Sequence, residues 1–239
     1  MAPNRPYGGI GAVERVESRR SALIEAALEL ADSDSWRQVS VDLVCRQARL
    51  NKRYFYESYA DIDELLAAVV NRVAEGFQAV AAGALDPSLS RPDLARAVLA
   101  AVVQYLTHDP RRARLLFGEL QVSGSINTYR QHAVDMIIDI VVAKARVIHH
   151  ESESRDPIAR ITAIVLLGGT GQAILDWLDG RLDVSSEELV EDLAALWLVA
   201  GDGAVERARQ RTGSSAARKA SGRPRRQRAA RATARDVAN

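Results

Sequence analysis

VSVDLVCRQARLNKRYFYESY, residues 39–59, reads as two short helices joined by a tight turn. Ser40 carries a hydroxyl that can cap a helix. Val41, Val44, Cys45 and Ala48 then follow at the i, i+3, i+4, i+7 spacing of a helix with one buried face. That helix is expected to stop near Arg49, and a second to start at Asn51, another capping residue. Arg46, Arg49, Lys52 and Arg53 place four positive charges in eight residues with no acid among them. Tyr54, Tyr56 and Tyr59 add rigid arms tipped with hydroxyls. Phosphates are held by Lys, Arg, Tyr hydroxyls and helix N-termini, and base edges are read by a few side chains at the start of a helix in the major groove. Lys52, Arg53 and Tyr54 are therefore the candidates for base-proximal contact, with Asn51 leading their helix. Ser40, Arg46, Arg49 and Tyr56 are the candidates for phosphate contact. The competing reading is that the aromatics form the core of a three-helix unit. Phe55 and Tyr59, four apart, are the pair expected to be buried.

From Arg19 to Leu66 the sequence resembles the N-terminal domain of the tetracycline-repressor-like (TetR) regulators. The matching stretches are RRSALIEAALELADSDSW and VSVDLVCRQARLNKRYFYESYADIDELL. Ser40 stands where the family opens its second helix with Thr or Ser. Val44 and Cys45 match its apolar pair before the turn, and Tyr56 and Tyr59 fill its Tyr-x-x-Phe. Asp63, Glu64, Leu65 and Leu66 match the acidic-Leu-Leu start of its fourth helix. The resemblance implies an all-α fold: a three-helix helix-turn-helix head, then a helical domain for ligand binding and dimerisation. It also implies a homodimer paired through its two last helices, and a small-molecule effector that releases double-stranded DNA. Two residues depart from the pattern. Arg49 occupies the turn position where the family usually has Gly, which implies a strained left-handed residue or a different turn. Ile62 replaces the usual Lys, so that phosphate contact is expected to be missing.

The 239 residues are rich in Ala, Leu, Val, Arg and Glu and poor in aromatics, a composition that favours helix. The single cysteine, Cys45, rules out an internal disulfide and reads as a small core residue rather than a redox sensor. No signal peptide or apolar run of membrane-spanning length is read, so the expectation is a cytoplasmic protein with no membrane partner. The net charge of +1 conceals an asymmetry: residues 206–239 hold eleven basic and two acidic residues. An acidic body thus carries a basic tail.

In order, residues 1–14 read as a flexible arm, 15–60 as the helix-turn-helix domain, 61–209 as the regulatory and dimerisation domain, and 210–239 as a disordered basic tail. A first helix is expected over 16–31, with Trp36 plugging the small core after it. A connecting rod is expected over 61–82, followed by helices over 93–107, around RRARLLFGEL, and over 128–150, 157–179 and 186–208. Gly168, Gly169, Thr170 and Gly171 would permit close helix approach. Gly222-Arg223-Pro224-Arg225-Arg226 is a partial match to a minor-groove AT-hook, against the alternative of a generic solvated basic tail.

The ligand-pocket candidates are Tyr105, Phe117, Tyr129, His132, Met136 and Trp177, the aromatic or polarisable residues of the body, for each of which ordinary core is the competing reading. His149-His150-Glu151 lacks a third metal-binding partner and reads as a solvated helix end. No cofactor motif is present: GGTG lacks the strand and the GK[ST] of a phosphate loop. No G-x-S-x-G, H-E-x-x-H or Cys-His pattern marks an enzyme, and Asp176, Asp179 and Asp183 form only a loose acidic set. The leading reading is a homodimeric, sequence-specific DNA-binding regulator, a repressor released by its ligand, acting on a near-palindromic operator. The alternatives are an architectural DNA-coating protein that relies on the basic tail and an all-helical enzyme.

Overall fold

The computed structural model describes residues 12–34, 39–118, 124–149 and 156–221, and these are all-α, with no strand among them. The helices are α1 (Ala12–Asp34), α2 (Val41–Gln47), α3 (Lys52–Tyr56), α4 (Ile62–Gly83), α5 (Arg91–His108), α6 (Pro110–Phe117), α7 (Gly124–Ile148), α8 (Ile158–Leu178) and α9 (Ser186–Ser221). The N-terminal arm to residue 11, Trp36, His150-Glu151 and the Gly222–Arg226 motif lie outside the described residues.

Most starts are set by side-chain caps. Ser40, Asn51, Asp61, Ser90 and Asp109 each accept a hydrogen bond from a backbone N–H in the first turn of the following helix. At α4 the arrangement is reciprocal: Asp61 accepts from the Glu64 N–H at 2.9 Å, and Glu64 accepts from the Ala60 N–H at 2.6 Å. The last helix departs from the sequence reading. It continues to Ser221 rather than ending at 208, with Ala208 still buried and Arg211 paired to Asp156 at 2.8 Å.

In the head, α1 packs on α2 and α4. Leu23, Ala27, Val44, Phe55 and Leu65 are wholly buried there, and Tyr59 is nearly so. In the body, α4 packs against α5 and α7, α5 against α9, and α8 against α6, α7 and α9. Among the described residues, two ion pairs join head to body: Arg72 to Glu17 at 3.4 Å, and Arg111 to Glu25 at 2.6 Å. Arg111 also holds Asp109 at 2.8 Å. That hydrogen-bonded contact keeps the Asp109 carboxyl below the usual carboxylate range and raises the guanidinium in turn.

The glycine run divides in function. A Cβ on Gly171 would collide with the ring of Phe117, so α6 meets α8 there at backbone range, whereas Gly168 and Gly169 face open space. Around them α8 leaves Ile161, Ile164 and Val165 exposed, and α9 leaves Leu196 and Val199 exposed, Val199 at 72%. Contrary to the sequence reading, α4 and α8 are both long and apolar enough to cross a membrane by length and composition. In the fold, α4 spends its apolar residues on the core, from Leu65 to Phe77. On α8 the surplus lies on the outward face.

Candidate nucleic-acid interface and body cavity

The DNA-facing candidates gather on one surface made by α2, the turn and α3. Arg46, Arg49, Lys52, Arg53 and Tyr56 are all exposed, Arg53 at 82% by side chain and Tyr56 at 59%. Phe55, between them in sequence, points inward and meets Tyr59 with ring centroids 6.0 Å apart. Ser40 and Asn51 are occupied first as caps, accepting from the Leu43 N–H at 3.4 Å and the Tyr54 N–H at 3.3 Å. The Ser40 hydroxyl proton is still available to a phosphate oxygen.

Arg49 has φ of 54°, the left-handed region, and among the described residues it is the only non-glycine there. Its N–H donates to the Arg46 carbonyl at 3.2 Å and the next N–H, of Leu50, donates to the Cys45 carbonyl at 2.9 Å, so the turn closes on a left-handed residue despite the side chain. Arg49→Gly is expected to stabilise the head by ~1 kcal/mol while lowering DNA affinity through loss of a cation. Thermal unfolding and anisotropy on the same samples check both signs; a loss of stability would show that the left-handed turn is not under strain.

The acid-free window from 46 to 53 is flanked by acids that fold back onto it. Asp42 holds Lys52 at 2.5 Å, a contact that raises the lysine pKa, and Glu57 holds Arg53 at 2.9 Å. Both cations thus approach a ligand as members of exposed ion pairs, which water and salt weaken readily. Tyr54 is only half available, because the Arg19 guanidinium lies 4.5 Å over its ring. Arg20 lies at the same distance over Tyr59 and donates to the Ser58 carbonyl at 2.7 Å. Arg19 and Arg20, two turns inside α1, therefore clamp the end of α3, a role that sequence spacing did not reveal because the partners lie 35 to 39 positions away. Cys45 is buried, and desolvation with nearby Asp42 pushes its thiol up, away from thiolate chemistry. Ile62 is partly buried against the core and offers no charge where the family usually has Lys.

The main cavity lies between α4, α5, α7, α8 and α9, with a volume of about 300 Å³. None of the six pocket candidates lines it. Tyr105 donates to the Val73 carbonyl, Phe117 packs on Phe77, and Trp177 donates to the Val184 carbonyl. Phe117 does border a second, surface pocket with Leu116 and Arg130. Tyr129 packs on the core, and His132 and Met136 face outward. The walls of this cavity are largely aliphatic, with Leu94, Val98, Val102, Val141, Leu166 and their neighbours, and with Phe77, His149 and Trp197 as the ring-bearing residues.

No family model matches the chain. The chain is 23% identical over 194 residues to the HTH-type transcriptional activator FasR of Mycolicibacterium smegmatis (strain ATCC 700084 / mc(2)155), covering 78% of this chain and 85% of that protein. Among solved structures it is similar to a TetR-like regulator from Rhodococcus sp. RHA1, with a TM-score of 0.58, 23% identity, and 75% and 93% of the two chains covered. A TetR-family regulator from Syntrophomonas wolfei gives a TM-score of 0.66 at 10% identity, covering 77% and 95%. The regulator FadR from Bacillus subtilis, in complex with stearoyl-CoA, gives 0.60 at 14%, covering 74% and 96%. The fold and its head define a helix-turn-helix protein. More narrowly, this is the fold of the TetR-like transcriptional regulators, as the residues from Arg19 to Leu66 had indicated.

Proposed function

We propose that the protein is a homodimeric, sequence-specific DNA-binding transcriptional regulator whose affinity for its operator is set by a small molecule held in the body cavity. The observation that carries the DNA reading is the exposed cationic surface of α2 and α3 built over a buried Phe55–Tyr59 core. The outward apolar face of α8 and α9 supports a second copy packed against it. A two-fold pair would present two α3 helices to successive major grooves ~34 Å apart, hence a near-palindromic operator. FasR is an activator by name; release from DNA by ligand, and hence repression, is our reading for this chain. The ligand must bind the non-DNA-binding arrangement more tightly, and Arg111, joining α6 to Glu25 on α1, is one physical link between body and head.

Anisotropy on DNA from upstream of the protein's own gene, against scrambled DNA at near-physiological salt, is expected to show a preference of ~10³-fold or more. Lys52→Ala and Tyr56→Phe are expected to weaken operator binding with the dimer intact. Equal binding to both DNAs, abolished by deleting residues 222–239, would replace this reading with the architectural one.

A further inference from the structure

The body cavity is apolar along its length and cationic at one end. Its interior end holds two polar groups, and these satisfy each other: the Trp197 indole N–H donates to the Thr170 hydroxyl at 2.9 Å. A ligand entering that end meets mostly hydrocarbon. The other end is formed by the last turns of α4 and α7 and the first residues of α5 and α8. There Arg91, Lys144 and Arg146 enter the lining. Arg91 is neutralised by Asp202 at 2.5 Å. Lys144 and Arg146 form no ion pair with a described residue, and the Arg146 Nε is buried without a hydrogen-bond partner. A buried guanidinium donor left unpaired is costly, and a ligand that supplies its acceptor recovers that cost.

We propose that this cavity binds a single-chain amphiphile with an anionic head, its acyl chain running toward Trp197 and its head held by Arg146 and Lys144. A water-sized group such as a methylene needs ~10–15 Å³ of cavity space, so the void takes a chain of at least about ten carbons. The assignment names the ligand class of the site invoked above and rests on that proposal for its regulatory consequence only. A carboxylate and the phosphates of an acyl-CoA share the required chemistry, and the experiment separates them.

The full-length protein is titrated with fatty acids of eight to sixteen carbons, dodecanol, dodecyltrimethylammonium and dodecanoyl-CoA. The readouts are Trp fluorescence and, independently, calorimetry. For the acids, affinity is expected to rise about fourfold per methylene, the equivalent of ~0.8 kcal/mol, until the void is full. Dodecanol and the cationic amphiphile are expected to bind at least ~10-fold more weakly than dodecanoate, the factor of one charge-assisted hydrogen bond. Arg146→Leu is expected to erase that difference while leaving dodecanol binding unchanged, which also shows that the variant is folded; Arg146→Lys should restore part of it. Tighter binding of dodecanoyl-CoA than of dodecanoate assigns the head to CoA, and the reverse assigns it to a free acid. Absence of saturable binding, or acid and alcohol binding alike in the native protein, overturns the proposal. Operator binding in the same preparation separates the two ideas. DNA bound but no amphiphile sinks the ligand assignment alone. Amphiphile bound without effect on DNA affinity sinks ligand release and leaves the cavity assignment standing.

Discussion

Val165→Glu combined with Leu196→Glu is expected to give a folded monomer that no longer holds its operator. Both side chains are about two-thirds exposed in the single chain, Val165 at 65% and Leu196 at 60%, so the chain itself has little reason to reject a charge there. In an isologous pair each residue is buried against its own symmetry mate's surface, and two copies of each carboxylate would lose water without gaining a partner. That cost, several kcal/mol for each buried unpaired charge, exceeds what an interface of scattered Ile, Val and Leu returns. Loss of the second head removes the linked half-site, so operator affinity should fall by ~100-fold or more. Light scattering and anisotropy on the same sample read the two effects. A dimer that survives the double substitution would place the interface elsewhere.

Phe55→Ala should take the head apart and spare the body. The ring is wholly buried and sits among Tyr59, Tyr56 and the core of α1 and α2. Removing it costs ~3–5 kcal/mol, and a unit this small has little stability in reserve. Amide exchange should accelerate throughout α2 and α3 while α5, α8 and α9 keep their protection, and operator binding should vanish with cavity binding retained. Unchanged exchange in α2 would show that the head's packing does not depend on this ring.

The head was legible because its signals are local. Caps at Ser40 and Asn51, a helical stripe at Val44 and Cys45, and the inward pair Phe55–Tyr59 all depend on spacings of three or four residues. What escaped depends on contacts across the fold. The pairing of Lys52 with Asp42 and of Arg53 with Glu57 could have been suspected, since both acids flank the basic window by a few residues. The clamping of α3 by Arg19 and Arg20 could not, because nothing in sequence says which ring a distant guanidinium will cover. The cavity escaped for a further reason. A void is defined by the volume that side chains fail to fill, and an Ala, Val and Leu lining looks the same in sequence as a packed core. Arg146 carried a faint sign: it follows an apolar run on α7 with no acid one turn before it.

The length of α9 gives the molecule a direction. At 36 residues it spans about 54 Å, and its Ala204, Val205 and Ala208 line the cavity that the last turns of α4 also line. From there α9 continues thirteen residues beyond the body's cavity, and the densest run of arginine in the chain begins where it ends. Those thirteen residues carry the helix a further ~20 Å past the cavity.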